Sequence, residues 1–383
     1  MYLGNVQGEA KRVSHSLSRR DLLSASALLL AGPGAMLRVA AREAAPGGGA
    51  GPLVLCWNEN PYGPSPAARA AISQAIAEGY RYPSDEEMAA LTGALAAREG
   101  VAVNQIVIGT GSGELLRALG LLNGRDGGEI VAAHPTYDEL PSYAQHWGAA
   151  MKFVPVDAQL RHDLPAMHAA LSPRTRAVYL CNPNNPTGTV LPAPHLREFV
   201  RSLPATVTAI VDEAYMDFAA AGETASLAGL VPEGRRVVVL RTFSKIHGMA
   251  GLRCGYAIAP PDLAAQLAAA CMTTPNIFAV RAARASLADV GFVADCRQRI
   301  LASRARITAE LTRLKLRYAE PNGNFVFFDT GMPLARFTEL MRQRNILVGR
   351  LFPPYDTWCR ITIGTEPEVT AFLQALREVG SNA

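Results

Sequence analysis

Apolar and polar positions along the chain follow two rhythms. Short runs that are apolar throughout, or at all but a charged first residue (Glu129, Lys152), occur at 106–108, 129–132, 152–155, 177–180, 209–211, 237–240 and 256–258. Short, uniformly apolar runs read as strands buried on both faces. Between them lie stretches with apolar residues at helical spacing, at 67–79, 85–100, 114–122, 142–147, 163–171 and 193–203. Strands alternating with helices predict an α/β fold, with a mostly parallel central sheet covered by helices. From 264 to 316 the pattern is one long helical region, rich in Ala, Arg and Leu. Strands at 324–328 and 359–364 then flank a helix at 333–344, and a helix at 368–379 closes the chain. That tail predicts a smaller α+β body. The expected division is an N-terminal segment and linker at 1–50, a large domain at 80–280, and a small domain from 53–79 and 281–383.

The first fifty residues do not share this pattern. Arg19 and Arg20 precede an apolar run that ends at Met36, and Ala, Gly and Pro dominate up to Gly51. A charged start, a short apolar core and a small-residue stretch make an export signal, and the arginine pair resembles a twin-arginine one. The expected destination is the periplasm, or the cytoplasm if the segment is not functional. No stable membrane insertion is expected, because the run is short. Residues 1–45 hold six basic against three acidic side chains, so only +1 of the total +4 belongs to the rest. The pI of 8.8 therefore gives no reason to expect a nucleic-acid partner. Six widely spaced cysteines without a C-x-x-C pair argue against a metal site and against a disulfide framework.

Chemistry is concentrated where strands end. Residues 241–256 read Arg-Thr-Phe-Ser-Lys-Ile-His-Gly-Met-Ala-Gly-Leu-Arg-Cys-Gly-Tyr. An amine at Lys245, hydroxyls at Thr242 and Ser244, and a guanidinium at Arg253 suit a covalently held, phosphate-bearing cofactor. Alone, Lys245 reads more readily as a surface lysine after a core strand. The turn Gly109-Thr-Gly-Ser-Gly113 leads from a strand into a helix, which aims backbone N–H groups at an anion. It fits neither the dinucleotide-binding nor the nucleotide-triphosphate glycine pattern. His134-Pro-Thr-Tyr137, Asn-Pro-Asn-Asn-Pro-Thr-Gly (182–188) and Asp212-Glu-Ala-Tyr215 also leave strands at that end. Ligands of doubly wound sheets sit at the carboxyl ends of the strands. A carboxylate such as Asp212 can pair with a protonated heteroaromatic nitrogen.

Taken together, these motifs resemble the fold type I pyridoxal-phosphate aminotransferases over residues 53–379. Trp-Asn-Glu-Asn-Pro-Tyr-Gly-Pro-Ser-Pro (57–66) and Arg-Ile-Thr-Ile-Gly-Thr (360–365) narrow the likeness to the histidinol-phosphate aminotransferase branch. The resemblance implies that Lys245 is the Schiff-base lysine and moves the proton, and that Asp212 holds the pyridine nitrogen cationic. It implies that Asn185 and Tyr215 hold the ring oxygen and that Tyr137 stacks on the ring. Gly111, Ser112, Gly113, Ser244 and Arg253, with Thr242, would hold the phosphate, and Tyr82 would reach the neighbouring subunit's phosphate in a homodimer. Arg360 would take the substrate carboxylate, with Arg350 and Tyr62 at its distal end. An amino donor and a 2-oxo acid such as 2-oxoglutarate would react in two half-reactions.

The pattern departs from the family at Gly113, where many relatives carry Asp, and at the apolar segment 351–358. That segment is expected to form an apolar wall favouring an aromatic amino acid. A decarboxylase on the same scaffold and a non-catalytic relative are the other readings.

Overall fold

A computed structural model describes residues 51–220 and 222–381, so the segment expected to direct export lies outside the described residues. In chain order the first elements are β1 (Leu53–Leu55), α1 (Pro66–Ala75), α2 (Asp85–Glu99), β2 (Ile106–Gly109), α3 (Ser112–Gly124), β3 (Glu129–His134), α4 (Glu139–His146) and β4 (Ala150–Pro155). Then follow α5 (Leu164–Ala169), β5 (Thr175–Cys181), α6 (Ala193–Ser202), β6 (Thr208–Asp212), β7 (Val237–Thr242), β8 (Gly255–Ile258), α7 (Pro261–Ala270) and α8 (Ile277–Ala288). The last are α9 (Val290–Arg313), β9 (Phe325–Asp329), α10 (Leu334–Arg342), β10 (Ile346–Val348), β11 (Trp358–Thr362) and α11 (Glu366–Ser381).

Seven strands form the main sheet in the order β2-β8-β7-β6-β5-β3-β4. All run parallel except β8, which is antiparallel to both neighbours. The uniformly apolar strands are explained by burial on two faces. In β7, Val237 and Val239 enter one cluster with Val178, Leu180, Val211 and helices α2, α6 and α8. Val238 and Leu240 enter a second cluster with Ile130, Tyr179 and helices α3, α4 and α7. Each such Val or Leu stabilises the fold by about 1.5–3 kcal/mol relative to exposure.

Local signals set the helix ends. Ser84 and Glu87 form a reciprocal cap at the start of α2, and Gly100 closes it at φ 68°. The expected long helix at 264–316 is three helices. Pro275 interrupts it, Asn276 caps α8 through the Ala279 N–H, and Asp289 caps α9 through the Phe292 N–H. Helix α3 begins at Ser112 rather than at 114, so the glycine turn supplies its first residues. The unforeseen strand, β10, is three residues long and pairs in parallel with β1. An antiparallel pair, β9 and β11, lies beside it. These strands and α9, α10 and α11 surround a third cluster that also takes in Tyr215, Phe218 and Ile246 from loops of the main sheet. Helix α1 packs along α8 and places Ala68 in the main sheet's cluster.

This topology fixes where a ligand can sit. The chain passes from β3 outward to β4, then crosses back to β5 on the other side of β3. Such a reversal opens a crevice at the carboxyl ends of the strands.

Candidate active site

A cavity of about 380 Å³ occupies that crevice. Its lining includes Ser112, Gly113, Tyr137, Asn185, Asp212, Tyr215, Thr242, Ser244, Lys245, Arg253, Arg350 and Arg360. Segments widely separated in sequence therefore converge on one space. Gly111 lies just behind the lining, whereas Tyr62 and Tyr82 lie outside it. The Tyr62 ring sits under the Arg299 guanidinium, 5.3 Å away, against the third cluster. Tyr82 is 87% exposed.

The Lys245 amine donates to the carbonyl oxygens of Asn58 at 3.0 Å and Trp57 at 3.4 Å. Burial, and then the Arg360 charge, bring its pKa down from 10.5 to about 8, against the opposing pull of Glu59 and Asp212. About a tenth of such amines are unprotonated at pH 7, against ~0.03% at the ordinary value. A buried amine of this kind is a nucleophile and a base near neutrality.

Asp212 ends β6 and is 2% exposed. It accepts hydrogen bonds from the Ala214 N–H at 3.0 Å and the Tyr179 hydroxyl at 3.3 Å. Burial nonetheless raises it from 3.8 to about 6, as expected for a carboxylate awaiting a cation. The Tyr215 hydroxyl accepts from the Asn58 amide at 3.1 Å and the Asn185 amide at 3.4 Å. Its ring meets Phe325 edge-on at 5.0 Å. Burial pushes both Tyr215 and Tyr137 upward, so both stay protonated.

The opposite end of the cavity is built for an anion. Gly111 has φ 78°, and a Cβ there would lie 2.5 Å from Arg253 Nη2. The Gly111 position therefore admits the guanidinium against the start of α3, whose first turn has no side-chain cap. Arg253 donates to Ser244 Oγ at 3.5 Å and to the Ala250 carbonyl at 3.0 Å. The Thr242 hydroxyl accepts the Ser244 N–H at 3.1 Å. Uncapped amides, two hydroxyls and a guanidinium form a phosphate cradle.

The third polar region is Arg360, 8% exposed. It donates to Asn185 Oδ1 at 2.6 Å and the Cys56 carbonyl at 2.7 Å, and its Nε has no partner. All these partners are neutral.

Sequence reasoning did not single out Asn58. Its φ is 55°, its N–H donates to Thr362 Oγ1, its amide reaches Tyr215 and its carbonyl receives Lys245. Its place in the motif at 57–66 was the available signal. Of the segment expected to form an apolar wall, Phe352 packs with Phe327 and Trp358, lies 5.0 Å from the Arg360 guanidinium, and lines with Pro353 a side pocket that shares Asp138 and Arg350 with the main cavity.

The family description "Aminotransferase class I and II" matches residues 50–376. The chain belongs to that family. Histidinol-phosphate aminotransferase of Moorella thermoacetica is 38% identical over 333 residues, 85% of each chain. Aromatic amino acid aminotransferase of Rhodococcus jostii is 38% identical over 326 residues, 84% of this chain and 89% of that one. The solved histidinol-phosphate aminotransferase of Sinorhizobium meliloti, in complex with pyridoxal-5'-phosphate, has a TM-score of 0.79 and 29% identity, covering 86% of this chain and 91% of that one. This aminotransferase is thus a fold type I enzyme whose cofactor is pyridoxal phosphate. The cradle, the amine and the buried carboxylate fit the phosphate, aldehyde and ring nitrogen of that group. Among the described residues no cluster of three metal-binding side chains occurs, and no helix is long and apolar enough to cross a membrane.

Proposed function

We propose that the enzyme transfers the amino group of an aromatic amino acid or of histidinol phosphate to 2-oxoglutarate, in two half-reactions at this cavity. The observation that carries the reading is the convergence of a lysine amine of pKa about 8, a buried aspartate and a phosphate cradle in one space. When bound, pyridoxal phosphate supplies an electron-withdrawing ring that acidifies the substrate's Cα–H. In this reading Ser112, Gly113, Ser244 and Arg253 anchor the phosphate, and Thr242 orients Ser244 from behind. Asp212 sets the ring nitrogen's charge, and the hydrogen bonds from Ala214 and Tyr179 hold its carboxylate in place. Asn185 and Tyr215 would hold the ring oxygen, with Asn58 fixing the Tyr215 hydroxyl, and the Tyr137 ring would stack on the cofactor. The Lys245 amine holds the cofactor covalently and, once released, is the base that removes and returns the Cα proton. Arg360 takes the substrate carboxylate.

A homodimer belongs to the same proposal. Trp57, at the cavity lining, is 70% exposed, and Ile76, Tyr80, Tyr82 and Met272 are exposed apolar or aromatic side chains as well. A partner subunit covering them would bring its Tyr82 to the cradle. The division into two bodies is also a proposal, with residues 66–75 joined to the larger one. Export through the arginine pair remains a proposal from the sequence. A reporter fused to residues 1–50 is expected to lose periplasmic delivery when Arg19 and Arg20 become Lys, and unchanged delivery would refute it.

The function is tested with the purified, cofactor-loaded enzyme, screened against amino donors with 2-oxoglutarate. Glutamate formation is the expected result. Release of carbon dioxide without glutamate would overturn transamination in favour of decarboxylation.

A further inference from the structure

The cavity contains two arginines that the cofactor does not claim, and their electrostatic states differ. Arg360 hydrogen-bonds to an amide oxygen and a backbone carbonyl and lies over the Phe352 and Phe325 rings, so among the described residues no carboxylate pairs with it. Arg350 Nη2 lies 2.5 Å from Asp138 Oδ2, and its other contacts are the Leu351 carbonyl at 3.3 Å and the Phe352 ring at 4.4 Å. The distal end therefore offers an incoming anion an arginine already paired with a carboxylate.

Behind the Asp138–Arg350 pair is a side pocket of about 180 Å³. Its walls include Phe352, Pro353, Phe153, Pro135 and Pro141. Asp138 and Arg350 line both this pocket and the main cavity. An uncharged ring gains apolar contact there without giving up solvation of a charge. A phosphate monoester would have to displace Asp138 from Arg350 and remain beside it, and like charges at such range repel.

We propose that Asp138 is a specificity-determining residue, which holds Arg350 neutralised so that the enzyme selects α-amino carboxylates with uncharged, aromatic side chains over phosphate-bearing amines. This rests on the transaminase reading above and chooses between its two donor classes. Arg360 recognises the carboxylate common to amino acids, and the Asp138–Arg350 pair discriminates at the other end. Asp138 precedes α4 and makes no capping hydrogen bond there, so Asp138→Asn removes the charge without removing a helix cap.

The test compares L-phenylalanine and L-histidinol phosphate as donors to the cofactor-loaded enzyme, following each half-reaction by absorbance. The wild type is expected to have the higher kcat/KM with phenylalanine. In Asp138→Asn the ratio is expected to move toward histidinol phosphate by about tenfold or more, the size of change that 1.4 kcal/mol produces. A wild type that prefers histidinol phosphate, or a ratio left within about twofold by D138N, would overturn the proposal. Calorimetric titration of inorganic phosphate into the loaded protein gives a reading independent of turnover. Phosphate is expected to bind D138N about tenfold tighter than wild type, and equal affinities count against Asp138. Should no amino donor react at all, the transaminase reading fails, while the phosphate titration still decides the role of Asp138.

Discussion

Replacing Gly111 by Ala places the smallest side chain where the structure has least room. The backbone there has φ 78° and ψ 159°, a region essentially reserved for glycine that costs an L-residue about 1–3 kcal/mol. The new Cβ would also lie 2.5 Å from Arg253 Nη2 and 2.9 Å from its Cζ. The guanidinium is the far end of a flexible side chain, so it moves rather than the backbone, and its hold on the cofactor phosphate is loosened. A hydrogen bond to a charged group contributes about 1.5–3 kcal/mol, so the cofactor dissociation constant is expected to rise about 10- to 100-fold. Gly113 provides the comparison two residues away. A Cβ there meets nothing closer than Arg253 Nη2 at 3.8 Å, and the residue lies inside α3. Gly113→Ala is therefore expected to weaken cofactor binding far less, within about threefold, and to leave the melting temperature of the cofactor-free protein unchanged or slightly raised. The assay is titration of each cofactor-free variant with pyridoxal phosphate, followed by intrinsic fluorescence, with melting curves before and after loading. Equal losses in the two variants, or an unaltered Gly111→Ala, would refute the account of the cradle as a contact between Arg253 and a glycine at positive φ.

Further outcomes follow from the other side chains of the site. Lys245→Ala is expected to abolish turnover while circular dichroism and melting behaviour persist; undiminished transamination would remove Lys245 from the chemistry. Because burial lowers the Lys245 amine to about 8, the rate at which the cofactor-free enzyme captures pyridoxal phosphate should fall as pH drops below about 8; a profile centred near the ordinary 10.5 would contradict the burial effect. Asp212 runs the other way. Its folded pKa of about 6 exceeds its ordinary 3.8, so between those values the folded chain keeps a proton that the unfolded chain has released. Stability of the cofactor-free protein contributed by this group should therefore fall as pH rises from about 4 to 6, by up to roughly 3 kcal/mol. Asp212→Asn should lose that slope in a urea series, and an unchanged slope would assign it to another group. Asn58→Ala removes one of the two amides on the Tyr215 hydroxyl and places Ala at φ 55°, with an expected loss of about 1–3 kcal/mol in stability and a red or blue shift of the bound cofactor's absorbance; an unshifted spectrum would leave Asn58 a purely structural residue.

The sequence is most legible where physical constraint is local. Uniformly apolar strands such as 237–240 announce burial on both faces, and the loops that follow strand ends announce a crevice, because both follow from one strand and its neighbours. The long helical stretch was harder. Its apolar spacing runs on across Pro275 and Asp289, and it is that proline and the capping hydrogen bonds made by Asn276 and Asp289 that divide it. Strand β10 was missed because three residues carry no usable periodicity, and its identity comes from a partner, β1, nearly three hundred residues away.

The limits are sharper inside the site. Lys245 and Asp212 are recognisable by residue type and position, since amine and carboxylate chemistry belong to the side chains themselves. The state of an arginine does not. Arg350 and Arg360 are ten residues apart, and nothing in their order along the chain says that one meets Asp138 and the other neutral oxygens and aromatic rings. That distinction is created by the crevice, which brings the residue after Tyr137 within reach of β10's exit. The cofactor site is thus a property of motifs, whereas donor choice is a property of pairs. Exchanging charge at one member of such a pair should change selectivity without changing the cofactor chemistry, which makes Asp138 and Arg350 more informative targets than any residue of the motifs themselves.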